Sequence, residues 1–362
     1  MSGGLRGQLR RGVVWLEPPP RVVDWSIFGA VLFLAGTGIL SFLGHTPEWI
    51  VLFWAHRLVG LSLIPLLAFK LARVRTRLTD PGNWQLSTPL SILTGVAALV
   101  VIATGALWVF GVEPDLGPVT MLSVHAGLGL LLVLLMVLHA RTRFRPPSTP
   151  EFTRRRTAMQ YGAMLVAAAL VYRGQTLLNE VFDAAGADRR LTGSHRREGS
   201  GNDSFPVVSW VADDPDPVAV DEWALAVGGT VEESLALPYG TLTPDTVAEA
   251  TLDCTGGWYT VQEWGGVRVG ELLDEAGATG DARYVRFESV TGYRWSLPIE
   301  EARGALLATH VGGEPLSHGH GAPLRLVTPG RRGFQWVKWV ERVEVRRRGD
   351  PAQWLATLVS GL

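Results

Sequence analysis

Hydrophobic residues are distributed differently in the two halves of this chain, with long apolar runs first and short alternating runs afterwards. Each long run has the roughly 20 residues that cross about 30 Å of hydrocarbon, and four of them occupy residues 25–44, 49–69, 90–112 and 119–140. A fifth run, 159–172, is shorter, so an interfacial or buried helix is its alternative. The pattern predicts a transmembrane helical bundle of about five spans over residues 1–178.

The second half has the pattern of a soluble α+β domain over residues 201–362, after a polar linker over residues 179–200. Strands are predicted where apolar and polar positions alternate among β-branched and aromatic residues, in VDEWALAVGGTV, ARYVRFESVTGYRWSLP, APLRLVTPG and VKWVERVEVRRR. Short helices or helical turns are predicted for TLTPDTVAEAT, GVRVGELLDEAG and PIEEARGALLATH.

Charge separates the same two parts of the chain. Residues 1–178 contain 16 Lys and Arg against 7 Asp and Glu, whereas the remainder contains 17 against 27. The net charge of −1 therefore combines a basic membrane part with an acidic soluble part. The sequence contains no basic stripe, P-loop or dinucleotide-binding glycine pattern, so nucleic acid is not a predicted partner.

The charges of the connections predict the orientation of the bundle, because Lys and Arg are retained on the cytoplasmic side. The first and third connections contain no Lys or Arg. The N-terminus, the second and the fourth connections contain Arg6, Arg10, Arg11, Arg21, Lys70, Arg73, Arg75, Arg77, Arg141, Arg143, Arg145, Arg154, Arg155 and Arg156. We expect a cytoplasmic N-terminus in the cell (inner or plasma) membrane and, with five spans, an extracytoplasmic C-terminal domain. With four spans that domain would lie inside.

The fourth connection offers a second indication of export. The stretch TRRRTAMQYGAML places an arginine run before a moderately apolar segment, which resembles an internal twin-arginine signal. Anchoring by positive charge alone is the alternative explanation. The twin-arginine route carries folded proteins, so it would suit a domain that acquires a cofactor before export.

Two histidines lie at matched depth in the predicted bundle. His56 is seven residues into the second span and His125 is six residues into the fourth, so both lie roughly 10 Å below the outer surface. Two neutral imidazoles at equal depth can supply both axial ligands of a b-type haem. The alternative is that each histidine satisfies a polar partner in the bundle. Small residues beside them leave room for a flat macrocycle: Gly60, Gly127 and Gly129.

Two further histidines are weaker candidates for haem ligands. His139 lies fourteen residues after His125, a spacing that would suit a second, inner haem. The position fourteen residues after His56 is Lys70, so an inner haem would need an unusual ligand. His45, at the outer end of the first span, could replace His56 or His125.

Cys254 is the single cysteine of the chain and cannot form an internal disulfide. A free thiol is commonly a small buried hydrophobe. Here the thiol begins a Thr-Gly-Gly-Trp sequence in a segment rich in Gly and Trp, TLDCTGGWYTVQEWGGVRVGELL. This composition breaks strand periodicity and predicts a loop close to a bulky ligand.

The segment from Asn202 to Val345 resembles the molybdopterin-binding domain of the sulfite oxidase family. The resemblance lies in the blocks LDCTGGW, VGGEPLSHGHGAPLRLVTPG and GFQWVKWVERVEV. It implies that Cys254 is a thiolate ligand of molybdenum. It also implies that three further residues contact the pterin and its phosphate, namely His320, Arg325 and Lys338.

The resemblance extends to weaker positions. FESVTGYRWSLP is similar to a family segment and implies Tyr293 and Ser296 at the cofactor cleft, with Tyr293 among the catalytic residues. GNDSFPV adds Asn202 as a cofactor-binding candidate. After Cys254 the chain has neutral residues where sulfite oxidases have anion-binding arginines, which is closer to bacterial members that reduce S-oxides.

The sequence as a whole predicts a membrane-anchored oxidoreductase with a molybdenum–molybdopterin cofactor and haem b. Its expected partners are a small-molecule substrate such as an S-oxide, a quinone or another electron carrier, and membrane lipid. Two alternatives stay open. One is a sulfite dehydrogenase, and the other is an exported binding or scaffold domain on a catalytically silent anchor.

Overall fold

A computed structural model describes residues 17–114, 116, 119–143, 145, 154–209 and 213–360. The chain divides into two units, Met1–Gly193 and Ser194–Leu362, each with its own core. The predicted basic residues Arg6, Arg10 and Arg11 lie outside the described residues.

Long helices make up the described part of the first unit. They are α1 (Pro20–Ser41), α2 (Ile50–Thr79), α3 (Thr88–Val109), α4 (Met121–Arg143) and α5 (Arg155–Val181). In the described residues, four stretches are long and apolar enough to cross a membrane, and they correspond to α1 through α4. The helix α5 has 27 residues but is not one of the four, so a fifth span is not confirmed.

The first four helices form a closed ring of contacts. α1 packs on α2 and α4, and α3 packs on α4 and α2, whereas α5 packs on α2. Apolar side chains such as Ile27, Leu63 and Leu132 fill the interior. Large apolar side chains also cover the outside, including Leu134 at 64% exposure. An apolar exterior on an apolar bundle fits a lipid environment.

The second unit contains two β-sheets and three short helices in its described residues. One sheet holds β1 (His195–Arg196), β4 (Thr246–Asp253), β5 (Trp258–Arg268), β8 (Leu306–Val311), β9 (Glu314–Pro315) and β10 (Arg325–Val327). The other has the order β3 (Leu235–Pro238), β2 (Ala224–Gly229), β11 (Val340–Arg346), β6 (Tyr284–Ser289) and β7 (Arg294–Pro298). The helices are α6 (Val269–Glu275), α7 (Ile299–Gly304) and α8 (Gln353–Val359).

Two apolar clusters organise this unit. The larger lies along the second sheet, β8 and helices α6 and α7, with Leu225, Phe287 and Val343 fully buried. The smaller cluster belongs to the first sheet and includes Cys254 and the buried Trp264. The candidate thiol therefore belongs to an aromatic-rich core at the end of β4.

Three of the predicted elements of this unit differ in the structure. The helix predicted for TLTPDTVAEAT is wrong, because residues 246–251 belong to β4 and pair with β5 in an eight-residue antiparallel register. The predicted loop after Cys254 is confined to a four-residue turn, since Trp258–Arg268 forms β5. The segment PIEEARGALLATH is helical only over Ile299–Gly304 and continues as β8.

Candidate functional site

Cys254 lies in a tight turn between β4 and β5. Its amide donates to the Trp258 carbonyl at 2.8 Å, and the Gly257 amide donates to the Cys254 carbonyl at 3.1 Å. Gly257 has a φ of 94°, a conformation that glycine adopts without a steric penalty. The Gly256 amide points at Cys254 Sγ at 3.3 Å. The turn thus presents the sulfur beside a backbone donor.

A buried ion pair supports this turn from behind. Arg332 donates to Asp253 Oδ1 at 2.6 Å and to the Cys254 carbonyl at 3.2 Å. Ser194 also donates to Asp253, at 2.7 Å. Both members of the ion pair are nearly inaccessible to water. Burial raises the pKa of the Cys254 thiol, while the Gly256 amide and Arg332 act in the opposite direction.

Two of the predicted cofactor ligands, His320 and Arg325, lie together on the segment that leads into β10. The His320 ring is buried and its Nε2 donates to the Phe205 carbonyl at 3.2 Å, while its Nδ1 contacts the Ser317 hydroxyl at 2.8 Å. Burial, together with Arg325, lowers the pKa of His320 to about 4. Arg325 is 4% exposed and donates to the His320 carbonyl at 2.8 Å.

Lys338 reaches the same place from the chain segment before β11. Its Nζ donates to the Gly319 carbonyl at 2.6 Å and to Ser209 at 3.0 Å. Gly321 allows this approach, because it has a φ of 111° and a Cβ there would lie 3.1 Å from Lys338 Cβ. Burial, followed by the charge of Arg325, lowers the pKa of Lys338 to about 7.

Neither cation of this cluster is paired with a carboxylate at ion-pair distance. In the described part of the chain, neither Arg325 nor Lys338 forms an ion pair, although the charge of Asp213 acts on Lys338, and the buried Arg325 Nε has no hydrogen-bond partner. A buried cation without a partner carries a large desolvation cost. Such a pair is suited to an anion brought by a ligand, and the phosphate of a pterin cofactor has the required charge.

A cavity connects these residues. Cys254, His320, Arg325 and Lys338 line it together with Tyr293. Four further aromatic side chains contribute to its walls, those of Phe205, Trp258, Phe334 and Trp336. The structure therefore brings five of the predicted residues of this domain to one place.

The Tyr293 hydroxyl donates to the Phe334 carbonyl, and burial raises the pKa of this phenol. Beside it the cavity contains Asp213, which the sequence did not single out. Its Oδ1 is buried and has no hydrogen-bond partner among the described residues. Burial raises the pKa of Asp213. This carboxyl group lines the same cavity as the Cys254 thiol.

Two predicted residues are not among those that line the cavity. The Asn202 side chain donates to the Pro315 carbonyl at 2.9 Å and accepts from the Ser317 amide at 2.8 Å, so it fastens the segment before His320. Ser296 lies on β7, where its amide donates to Gln353 at 2.8 Å.

The helical unit brings its two matched histidines together. His56 and His125 have ring centroids 6.4 Å apart, with ring planes at 70°. His139 is buried elsewhere in the bundle, with Nδ1 3.3 Å from the Ser91 hydroxyl. His45 is held by its own loop, through a 2.9 Å contact between Nδ1 and the Leu43 carbonyl.

Sequence reasoning missed the residues that support the thiol. Arg332 stands in a surface-like stretch, TPGRRGFQW, and nothing in that stretch separates it from the neighbouring Arg331, which pairs with Glu301. Asp213 belongs to an acidic stretch, DDPDP, of a kind usually exposed. Only the folded chain distinguishes these residues from their neighbours.

Comparison with known proteins agrees with this site. Residues 212–354 match the family model of the oxidoreductase molybdopterin-binding domain. The uncharacterized oxidoreductase YuiH of Bacillus subtilis is 30% identical over 156 residues, which are 42% of this chain and 78% of that protein. The sulfane dehydrogenase SoxCD from Paracoccus pantotrophus has 28% identity and a TM-score of 0.36, over 37% of this chain and 40% of that one.

A third relative has a stated activity. The catalytic subunit MsrP of the protein-methionine-sulfoxide reductase from Xanthomonas axonopodis is 35% identical over 144 residues. The match covers 34% of this chain and 44% of that subunit, so the chain spans less than half of its length. The residues matched by the family model, 212–354, lie in the second unit, where Cys254, Arg325 and Lys338 line one cavity. The chain belongs to the family of oxidoreductases with a molybdopterin-binding domain.

Proposed function

We propose that this protein is a membrane-anchored molybdenum oxidoreductase that transfers an oxygen atom from an S-oxide or a related small substrate. Electrons would be exchanged through a b-type haem in the helical bundle. The observation that carries the proposal is the cluster at Cys254, in which the buried Arg325 and the half-buried Lys338 line one cavity with a thiol, and neither forms an ion pair among the described residues.

The donor set suits a molybdenum cofactor. Cys254 would supply the protein thiolate, since a thiolate is a soft metal ligand that metal binding deprotonates. The Gly256 amide and Arg332 favour that thiolate. Arg325 and Lys338 would hold the anionic phosphate, and His320 would pack against the pterin beside them. The bound cofactor supplies two-electron oxygen-atom transfer.

The neutral turn supports an S-oxide as substrate. Thr255, Gly256 and Gly257 follow the thiol and carry no charge that would attract sulfite. The name of the MsrP relatives supports the same substrate class. Reduction of an S-oxide to a thioether and water consumes two electrons and two protons. Tyr293 carries a hydroxyl proton and the Asp213 carboxyl group can take up and release one, and both side chains line the cavity. We assign proton delivery to them.

The separation of the two intramembrane histidines supports a haem in the bundle. Two neutral imidazoles on neighbouring helices would hold the iron of a haem between them. His56 and His125 have centroids 6.4 Å apart. A Cβ added at Gly127 or Gly129 would meet no atom within 4 Å, which leaves the flank of α4 accessible to a flat ligand. The bound haem supplies one-electron transfer.

A quinone in the surrounding lipid is the electron carrier that best suits a haem within the membrane. The basic connections support a cytoplasmic N-terminus and an extracytoplasmic catalytic unit. A reporter fused after Leu362 should be active only outside the cytoplasm. Activity inside would refute this orientation and the fifth span.

Metal and pterin analysis tests the catalytic part of the proposal. The purified wild-type protein, made in a host that supplies the cofactor, should contain about one molybdenum per chain. Cys254→Ser should lose oxygen-atom transfer to methionine sulfoxide and keep much of its pterin, because Arg325 and Lys338 remain. Full activity of Cys254→Ser, or wild-type protein without molybdenum, would refute the proposal.

Visible spectroscopy tests the haem. His56→Ala and His125→Ala should each lose the low-spin b-type absorption, because each removes one axial ligand. His139→Ala is the matched control, since it removes a buried histidine of the same bundle and should leave the spectrum intact. An unchanged spectrum in His56→Ala would mean that another residue binds the haem iron, and His45 would be the next candidate.

A further inference from the structure

The two helical hairpins of the bundle, α1–α2 and α3–α4, share one residue pattern. In both, a Thr-Gly pair lies in the last turns of the first helix, and a histidine followed four residues later by glycine lies near the start of the second. The threonine and the histidine are 19 residues apart in one hairpin and 21 in the other. The matching residues are Thr37, Gly38, His56 and Gly60, and Thr104, Gly105, His125 and Gly129.

The contacts between the paired helices repeat as well. The threonine hydroxyl lies 2.8 Å from the histidine Nδ1 in the first hairpin and 3.3 Å in the second. A second contact joins the residue 13 positions before the threonine to the residue 14 positions after the histidine. It is formed by Asp24 and Lys70 at 2.8 Å, and by Ser91 and His139 at 3.3 Å. The four helices therefore form two copies of one hairpin, and the two histidines occupy equivalent positions.

The hydrogen bonds of Thr37 determine which nitrogen of His56 carries the proton. A hydroxyl has one proton, and we assign that of Thr37 Oγ1 to its own helix, where the Phe33 and Leu34 carbonyls lie at 2.9 and 3.1 Å. Its oxygen is then an acceptor for Nδ1–H of His56. The imidazole is therefore protonated at Nδ1 and unprotonated at Nε2, the nitrogen that can bind a metal.

Thr104 repeats the arrangement around His125. Its hydroxyl is within 3.0 Å of the Val100 carbonyl, and His125 Nδ1 lies 3.0 Å from the Val101 carbonyl. A carbonyl only accepts, so Nδ1 of His125 is protonated as well. The glycine after the threonine makes room for the ring, because a Cβ at Gly105 would lie 3.0 Å from His125 Cε1.

We infer that Thr37 and Thr104 are positioning residues for a pair of metal-binding imidazoles, one from each copy of the duplicated hairpin. Each threonine holds the ring through Nδ1 so that Nε2 is available to the iron. The inference rests on the proposed haem site and identifies the groups that orient its ligands. The duplication also accounts for the inner end of the bundle, where the counterpart of His139 is Lys70, paired with Asp24.

Removal of each hydroxyl tests the inference in the full-length protein in detergent. Thr37→Val should weaken haem binding about 10- to 100-fold, the usual effect of losing a partner of a metal-bound histidine. Thr104→Val should have a similar effect, because each ring also has one backbone acceptor, the Leu34 carbonyl for His56 and the Val101 carbonyl for His125. Haem content and the midpoint potential of the haem are the measurements.

The midpoint potential separates positioning from packing. An imidazole that loses its Nδ1–H acceptor donates less electron density and stabilises ferric iron less, so the potential should rise. A tenfold greater loss of ferric than of ferrous affinity corresponds to about 59 mV. Thr37→Ser should restore the wild-type potential, because it restores the hydroxyl.

Thr94→Val is the matched control. Thr94 is a buried threonine of α3 whose hydroxyl donates to the Leu90 carbonyl of the same helix, so its loss should leave haem content and potential unchanged. If Thr37→Val behaves like Thr94→Val, or if Thr37→Ser fails to restore the potential, the threonines do not position the ligands. If His56→Ala keeps its haem, the haem site itself fails and this inference fails with it.

Discussion

The helical unit and the sheet unit hold their candidate metal ligands by opposite means. In the bundle, His56 and His125 are neutral rings anchored by neutral acceptors. In the sheet unit, the Cys254 cavity is lined by two cations, Arg325 and Lys338, that form no ion pair among the described residues. A charge inside a bilayer is costly, so a membrane site is restricted to neutral ligands. A soluble domain can bury charge where its ligand supplies the opposite charge.

This contrast explains why the residues of one site are easier to recognise from the sequence than those of the other. A histidine in an apolar run is conspicuous, because few other polar residues surround it. Arg325 and Lys338 look like ordinary surface charges, because a soluble domain has many of them. The resemblance of the HGAPLR and VKW segments to a known family singled them out, and hydrophobic periodicity alone did not.

The largest expected effect is the loss of cofactor from the buried cations. Arg325→Met with Lys338→Met removes two charge-assisted contacts of about 1.5–3 kcal/mol each, so pterin affinity should fall more than about 100-fold. The haem content of this double variant should stay unchanged, because the proposed haem site in the bundle does not use these two cations. Fluorescence of the released pterin and the visible spectrum measure the two quantities on one sample.

Arg303→Met is the control for this double variant, because Arg303 forms an exposed ion pair with Asp274. It should keep its full pterin content. The cofactor-free double variant should also melt no lower than cofactor-free wild type, since unpaired buried cations cost stability. A lower melting temperature would mean that the cations stabilise the fold and do not serve as an anion site.

The next effect concerns the ion pair behind the thiol. Arg332→Met leaves Asp253 buried without its cation, which should cost about 3–5 kcal/mol of unfolding free energy. The exposed Arg303→Met should cost no more than about 1 kcal/mol. Thermal unfolding of the purified chain, followed by tryptophan fluorescence, compares the two. Equal melting temperatures would mean that the Arg332–Asp253 pair is not a structural support of the turn.

The sequence predicted the membrane helices better than the strands. Long apolar runs gave the bounds of α1, α3 and α4 to within five residues, because lipid imposes one length and one composition, whereas α2 continues ten residues beyond its run, to Thr79. Residues 246–251 were predicted as helix because Ala and Glu favour helices. The long antiparallel pairing with β5 overrides that preference, as strand formation depends on neighbours far along the chain.

The site was predictable in part, for a similar reason. The residues that line the cavity came from short motifs, each readable within a few positions. Asn202 and Ser296 came from the same kind of motif, yet they contact Ser317 and Gln353 outside the cavity lining. Arg332 reaches Asp253 across 79 positions. Such a contact depends on the folded sheet, and no local pattern encodes it.

The smallest expected effect is a pH dependence that only the sheet unit should show. In the cofactor-free chain the pKa of Lys338 is lowered to about 7, by burial and then by Arg325. A bound phosphate would raise this pKa, so binding takes up a proton when the pH is above 7. Pterin affinity should therefore be constant below about pH 7 and fall above it, by at most about tenfold per pH unit for one proton.

The test of the Lys338 proton is made in the Cys254→Ser variant. In the wild type the thiol loses a proton when it binds the metal, which makes affinity rise with pH and would oppose the effect of Lys338. In the Cys254→Ser variant, pterin retention between pH 6 and pH 9 should decline, and adding Lys338→Met should remove the decline together with part of the affinity. A decline that persists without Lys338 would assign the proton to another group and would leave Arg325 as the main phosphate ligand.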